Sequence, residues 1–280
     1  MLRGFMVGLQ HEIDSKNAEF WDELCGSWIA SSLGITTHSM DNLRRYDAAF
    51  LAYYPYLRGY VDSENLTGKK VFEIGLGYGT LGQLLAEKKC DYHGVDIAKG
   101  TVAMMQYRLE LLGKQGKEKV QVASALNLPY RDKSFDYVYT VGCLHHTGNI
   151  ARAVSEVYRV LNKGGKAIVM LYNHSSFRLK VQVPLMHLKN LLMQRSITDW
   201  STQVRAMYDT DAKGEVAPHT DYVTPSEVRS LFRDFTYLKI DKQNFDEYVR
   251  TRFRIPLRRK WALNTVARLA GLDLYITAIK

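Results

Sequence analysis

Between residues 64 and 172, short apolar runs rich in β-branched and aromatic side chains alternate with stretches whose apolar positions recur at helical spacing. That alternation predicts a parallel sheet covered by helices on both faces. The first run, Lys70 to Ile74, carries Val71, Phe72 and Ile74 and leads into the turn Gly75-Leu76-Gly77-Tyr78-Gly79. The spacing of Leu81, Leu84 and Leu85 predicts a helix over Thr80 to Glu87. A strand ending at Asp96, a helix over Thr101 to Leu112 and a strand at Val120 to Ala123 follow. Phe135 to Val141 reads as the next strand and runs into Gly142-Cys143-Leu144-His145-His146. A helix from Ile150 to Leu161, the turn Asn162-Lys163-Gly164-Gly165 and a strand from Lys166 to Tyr172 complete the block.

The flanks read differently. Residues 11 to 62 predict helices dense in aromatics, broken at Pro55, so residues 1–62 are expected to form a helical cap on a main unit of residues 63–280. After the fifth strand, Phe177 to Met193 predicts a helix interrupted at Pro184, and Ser196 to Tyr222 a polar, loop-rich stretch. Thr224-Pro225-Ser226-Glu227 is a helix start, with Thr224 as N-cap, Pro225 at the first helical position and Glu227 three residues after the cap. Two last strands, Phe235 to Asn244 and Leu272 to Ile279, flank a basic helical insertion at Pro256 to Leu269. The expected architecture is an α/β, doubly wound, seven-stranded sheet with its last strand antiparallel. Insertions at about 173–222 and 250–270 are expected to act as lids.

Composition narrows the class. With 46% apolar and 24% charged residues, 20 glycines, 6 prolines and 3 cysteines in 280 residues, the chain is neither disordered, collagenous nor a disulfide scaffold. Cys25, Cys90 and Cys143 have no metal-ligand spacing, so no metal is expected, and their odd number favours a reducing compartment. No apolar run approaches the roughly 18 residues of a membrane span, and the first residues lack a leader's cleavage site. A cytoplasmic location is the expectation. Of the net charge of +9, removing Arg250, Arg252, Arg254, Arg258, Arg259 and Lys260 leaves +3. That local excess is either a solvated face beside a pocket or a surface for a polyanion such as RNA or peripheral anionic membrane.

The strongest chemical signal is Glu73-Ile74-Gly75-Leu76-Gly77-Tyr78-Gly79-Thr80, where a buried strand delivers an acid and three alternate glycines to its carboxyl end, the ligand side of a doubly wound sheet. Asp96 closes the second strand about 20 residues later, placed to accept the hydroxyls of a ribose. A dinucleotide fold wants a glycine where Thr80 stands, and Glu73 would repel a diphosphate. An adenosine with a cationic tail fits better, and S-adenosylmethionine is one.

Residues 64 to 172 resemble the class I S-adenosylmethionine-dependent methyltransferases, with their Rossmann-like sheet, in the small-molecule branch that includes quinone and sterol methylases. The resemblance rests on Glu73-x-Gly75-x-Gly77-x-Gly79, Gly94-Val95-Asp96, Leu128-Pro129-Tyr130, Leu144-His145-His146 and Leu161-Asn162-Lys163-Gly164-Gly165. It implies that Gly75, Gly77 and Gly79 border the methionine part of the donor and that Glu73 orders its amino end. It further implies that Asp96 binds the ribose and Ile97 packs on adenine, with Ser124, Ala125 and Gly142 completing the pocket. Ser124 departs from the family, since many relatives carry an acid there for the adenine amino group.

For the acceptor, His145 and His146 stand at the mouth of the crevice, where a histidine can take a hydroxyl proton or merely line the pocket. His219 is a further candidate base, with Asp209 or Asp221 to orient it. Trp28, Tyr53, Tyr172 and Tyr208 are expected at the acceptor, Trp28, Tyr46 and Tyr53 through ring faces that attract a sulfonium. Cys143 reads as filler rather than nucleophile. No Asn-Pro-Pro-Tyr follows the fourth strand, which disfavours nucleobases and amides. The expectation is O-methylation of a small or lipid-like acceptor; C-methylation of a quinone-like ring is the alternative. From other classes, a non-catalytic RNA- or anionic-lipid-binding module stays open, and a nicotinamide dehydrogenase is disfavoured by Glu73 and Thr80.

Overall fold

The computed structural model describes residues 2–22, 28–114, 119–193, 200–211, 213–245 and 259–280; the side chains of residues 2–8, 28 and 200 lie outside that description. Seven strands form one sheet in the order β3-β2-β1-β4-β5-β7-β6. They are β1 (Lys70–Ile74), β2 (Asp91–Asp96), β3 (Val120–Val122), β4 (Phe135–Val141), β5 (Leu161–Tyr172), β6 (Tyr237–Gln243) and β7 (Asp273–Ile279). The first five run parallel, and β7 is antiparallel to both β5 and β6, as expected from the sequence.

Strand alternation sends side chains to two cores. Phe72 and Ile74 of β1 join Val95, Val138 and Val157 on one face, while Val71 joins Leu85, Tyr92, Met105 and Tyr139 on the other. The helices α5 (Thr80–Ala86) and α6 (Lys99–Leu111) cover the second face, whereas α7 (Ile150–Val160) and the later helix Pro225–Leu231 cover the first. Glu73 shares the face of Val71. It is buried against α5 and α6, and a Cβ at Gly82 would stand 2.6 Å from its Oε2.

Ahead of the sheet lie α1 (Leu2–Phe20), α2 (Trp28–Ser32), α3 (Met40–Tyr53) and α4 (Leu57–Asp62). Ile29, Ile35, Leu43 and Tyr46 from α2, α3 and their connection bury Tyr78 of the glycine turn and Met104 of α6. At the predicted cap, Thr224 Oγ1 accepts from the Glu227 amide at 3.2 Å and Glu227 Oε2 from the Thr224 amide at 2.6 Å.

Two local expectations need correction. The interruption expected at Pro184 is a change of winding and not a break: a π turn at Arg178–Gln182 passes directly into α8 (Val183–Leu192) beside the proline, and the backbone stays helical throughout. The stretch read as loop-rich holds a helix, α9 (Trp200–Ala206), before its loop. The basic insertion is described only from Arg259, as two short helices, Arg259–Asn264 and Val266–Ala270; Arg250 to Arg258 lie outside the described residues. Among the described residues no helix is long and apolar enough to cross a membrane.

Candidate active site

The turn after β1 is shaped by contacts that forbid side chains. Gly75 has φ +82°, and a Cβ there would stand 2.4 Å from the Cβ of Cys143. Gly79 has φ +81° and would place a Cβ 2.6 Å from Cδ of Arg108. At Gly77 a Cβ meets nothing within 4 Å, so the backbone there borders open space. Asp96 ties this turn to the second strand, its Oδ2 accepting from the Leu76 amide at 2.7 Å and its Oδ1 from the Ala98 amide at 3.0 Å. Burial pushes its carboxyl pKa up, while those amides hold it back. The Thr101 hydroxyl and the Gly77 amide hold it back as well.

These residues open onto a cavity of about 140 Å³ lined by Gly75, Gly77, Asp96, Ile97, Ser124 and Ala125, with Gly142 and His146. Every one of them was expected from the sequence. Glu73 and Gly79 are not on that wall. They border a second cavity of about 300 Å³, where Glu73 accepts a 2.5 Å hydrogen bond from the Tyr92 hydroxyl. Burial pushes the Glu73 carboxyl up to about 8, with the Tyr92 bond opposing the shift.

The sequence reading missed the other wall of the first cavity. Asp14 and Asn17 of α1 and Trp21 just beyond it line it, at i, i+3 and i+7, one helical face. That polar stripe was the available signal. Asn17 Nδ2 donates to the His146 carbonyl at 2.7 Å and Gln10 Nε2 to the Thr147 carbonyl at 2.8 Å, which seats the helix on the turn after β4. Asp14 Oδ2 lies 3.4 Å from Ser124 Oγ, the position where the family acid is missing. Asn17 Oδ1 is buried without a hydrogen-bond partner among the described residues.

Also unforeseen was Arg108, fully buried on α6. Its Nε donates to the Tyr78 carbonyl at 2.7 Å, and its Nη1 and Nη2 donate to the Asp47 carboxylate of α3 at 2.8 and 2.9 Å. One guanidinium thus holds the glycine turn against an N-terminal helix.

The second cavity shares Trp21, Gly75, Gly77 and Val141 with the first and is walled by Tyr46, Phe50, Tyr54, Tyr172 and Tyr208, with Asp209 beside them. Tyr172 and Tyr208, two of the sequence candidates, line this cavity. Tyr53 is not: its ring lies 4.2 Å from the Arg259 guanidinium, and the i, i+4, i+8 positions Tyr46, Phe50 and Tyr54 take the wall instead. The side chain of Trp28 is outside the described residues.

The three histidines separate. His146 Nδ1 lies 2.7 Å from the His219 carbonyl, so that nitrogen carries the proton and Nε2 keeps a lone pair. Nε2 has no hydrogen-bond partner among the described residues and sits 3.7 Å from Asp209 Oδ2. Burial lowers the His146 pKa, and the nearby Asp209 raises it in part. The Tyr172 hydroxyl sits 3.0 and 2.9 Å from the two Asp209 oxygens. Burial pushes the Asp209 carboxyl up, opposed by His146 and Tyr172. His145 lines neither cavity: its ring packs 3.9 Å from that of Tyr172, and burial holds it neutral. The His219 side chain pairs with Asp221 at 3.0 Å, away from both cavities, and only its carbonyl reaches His146. Burial drives the Cys143 thiol pKa up, consistent with filler.

The family profile described as "Methyltransferase domain" matches residues 72–169. Those residues are a methyltransferase domain of the Rossmann-like fold. Phosphoethanolamine N-methyltransferase 2 of Caenorhabditis elegans is 25% identical to the chain over 201 residues, covering 69% of the chain and 43% of that protein. Demethylmenaquinone methyltransferase of Symbiobacterium thermophilum is 26% identical over 186 residues, covering 63% of the chain and 71% of that protein. Among solved structures, magnesium protoporphyrin IX methyltransferase of Synechocystis PCC 6803, with bound S-adenosylhomocysteine, shares the fold at a TM-score of 0.57 and 12% identity, covering 96% of the chain and 99% of that structure. The chain spans 39 to 43% of the length of several curated relatives that it matches. The matched residues leave out α1 to α4 and everything after β5, which bring Tyr46, Phe50, Tyr208 and Asp209 to the second cavity.

Proposed function

We propose that the chain transfers the methyl group of S-adenosylmethionine to a hydroxyl oxygen of a small-molecule acceptor, with His146 as general base. One juxtaposition carries this reading. His146 lines the first cavity, Asp209 lines the second, and the two stand 3.7 Å apart where the cavities share walls.

The first cavity suits the donor. Asp96 lines it with a carboxylate that ribose hydroxyls can approach, Gly77 leaves space that a Cβ would fill, and Asp14 with Asn17 Oδ1 offers acceptors for an adenine amino group in place of Ser124. Glu73 borders the second cavity beside the shared glycines, where a cationic tail would favour release of the proton that burial holds on it. The bound donor supplies an electrophilic methyl group on a sulfonium. His146 Nε2 takes the acceptor's proton as oxygen attacks, Asp209 steadies the resulting imidazolium, and Tyr172 holds Asp209 in place. In this reading the helices before residue 62 and the segment 173–222 close the two cavities and exclude water. An amine acceptor is the second reading, favoured by the ring faces around Asp209, which attract a cation as the carboxylate does.

The test is to incubate the purified chain with donor and a panel of phenols, amines and hydroquinones, and to locate the added methyl by mass spectrometry. O-methylation that His146→Ala abolishes is the expected result. Methylation at carbon unaffected by that change would overturn the hydroxyl reading. Absence of calorimetric heat with S-adenosylhomocysteine, or affinity unchanged in Asp14→Ala, would remove the donor assignment or its α1 component respectively.

A further inference from the structure

We infer that the face of α8 and its preceding π turn is a docking surface for an anionic lipid membrane. Val181, Leu185, Leu188 and Leu192 recur at i, i+4, i+7 and i+11, one stripe of a helix. Their side chains are 38, 50, 51 and 76% exposed, and Leu191 and Met193 extend the patch. The start of the same run is buried through Arg178, Gln182 and Val183, and from Pro184 to Met193 the helix is exposed or half-buried. The apolar stripe thus faces outward on a helix anchored at its first turn.

Charge identifies what covers it. From Ser175 to Thr198 the sequence contains no acidic residue, while Lys180 and Lys189 are exposed on either side of the stripe. Arg178 is not part of this charge, since it turns inward to the Met207 carbonyl at 2.6 Å. An apolar stripe between lysines is the layout of a helix that lies in the plane of an anionic interface. A second copy of the chain suits this face poorly, because symmetric pairing would bring the lysines together with no acid on the element to meet them. A neighbouring patch adds to it. Phe177, just before the π turn, packs in a cluster with Phe245, Ala262, Leu263 and Ala267, so the described end of the basic run, Arg259 to Trp261, lies next to the root of α8. Trp261 is 52% exposed there beside the exposed Lys260, whereas Arg259 turns inward to Tyr53, and an exposed indole next to a lysine is at home at a headgroup boundary. The sequence pointed to Arg250 to Lys260 for membrane contact; the structure moves the apolar half of that contact to α8. The inference is independent of which atom is methylated.

The full chain is to be sedimented with phosphatidylcholine vesicles and with vesicles containing about 30% phosphatidylglycerol, at low and moderate salt. Binding at least about tenfold stronger to the anionic vesicles, weakened by salt, is expected. The triple variant Leu185→Ser/Leu188→Ser/Leu192→Ser, whose positions are exposed, should lose about tenfold or more of that binding while its melting temperature and its S-adenosylhomocysteine affinity stay at parent values. No binding by the parent to anionic vesicles overturns the inference. So does undiminished binding by the triple variant, which would leave the basic run as the sole contact, and so does a dimer in light scattering that the triple variant converts to monomer in place of vesicle binding. Because the readout is lipid binding, failure here leaves the methyl-transfer reading untouched.

Discussion

Replacing Arg108 by methionine removes a fully buried guanidinium while keeping most of its volume. Four acceptors lose their donor: the Tyr78 carbonyl, both oxygens of Asp47 and Gln83 Oε1. Breaking a buried ion pair from one side costs about 3 to 5 kcal/mol, mostly because the remaining charge is stranded. Asp47 keeps 19% of its side chain exposed, and the Thr80 hydroxyl still donates to it at 2.5 Å, so the loss belongs at the lower end, about 3 kcal/mol. The companion variant Asp47→Ala/Arg108→Met strands no charge and should be less unstable than the two single changes add up to, by about 1.5 kcal/mol. Urea unfolding of the four proteins closes the cycle. Donor affinity should fall in Arg108→Met as well, because the Tyr78 carbonyl that Nε holds belongs to the glycine turn. A loss of stability below about 1 kcal/mol, or strict additivity in the double variant, would refute the claim that this guanidinium joins the N-terminal helices to the donor turn.

Asp96→Ala should weaken S-adenosylhomocysteine binding by about 1 to 3 kcal/mol in calorimetry, since at least one charge-assisted bond to a ribose hydroxyl is lost; unchanged affinity would take Asp96 out of the donor site. His146→Ala should lower turnover about 100-fold, with the deficit shrinking at high pH. Because burial lowers its pKa, His146 stays an unprotonated base at pH values where an ordinary histidine would be charged, so parent turnover should hold on the acid side of neutrality; a loss of a few-fold that ignores pH would return it to lining the pocket. Glu73 titrates near 8 in the folded chain, above the ordinary 4.5 of the unfolded one. Native protein therefore keeps a proton that unfolded protein releases, so this group's contribution is fullest below the unfolded value and is lost as pH rises to about 8. Glu73→Gln should flatten that part of the stability profile in urea titrations at several pH values, and an unaltered slope would show that Glu73 does not hold the proton.

Much of the molecule could be read locally. Hydrophobic alternation, the glycine turn and the Thr224 capping box each act over a few residues, so they announced the strands, the donor side of the sheet and the start of a helix before any packing was known. Gly75, Gly77, Asp96, Ile97, Ser124, Ala125, Gly142 and His146 then meet around one cavity because they all sit at strand ends, and strand ends are set by the same local signals. The parts that close the site depend on distant contacts. Asn17 meets His146 across 129 positions, Arg108 meets Asp47 across 61, and Asp209 pairs with His146 rather than His219. Nothing in the spacing of those residues records the pairing, because it is decided by how amphipathic helices and a long loop settle onto the finished sheet. Periodicity along the chain determined the scaffold and the glycine turn; which acid faces which base, and which tyrosines wall the second cavity, was decided only when packing in three dimensions fixed the orientation of each helix.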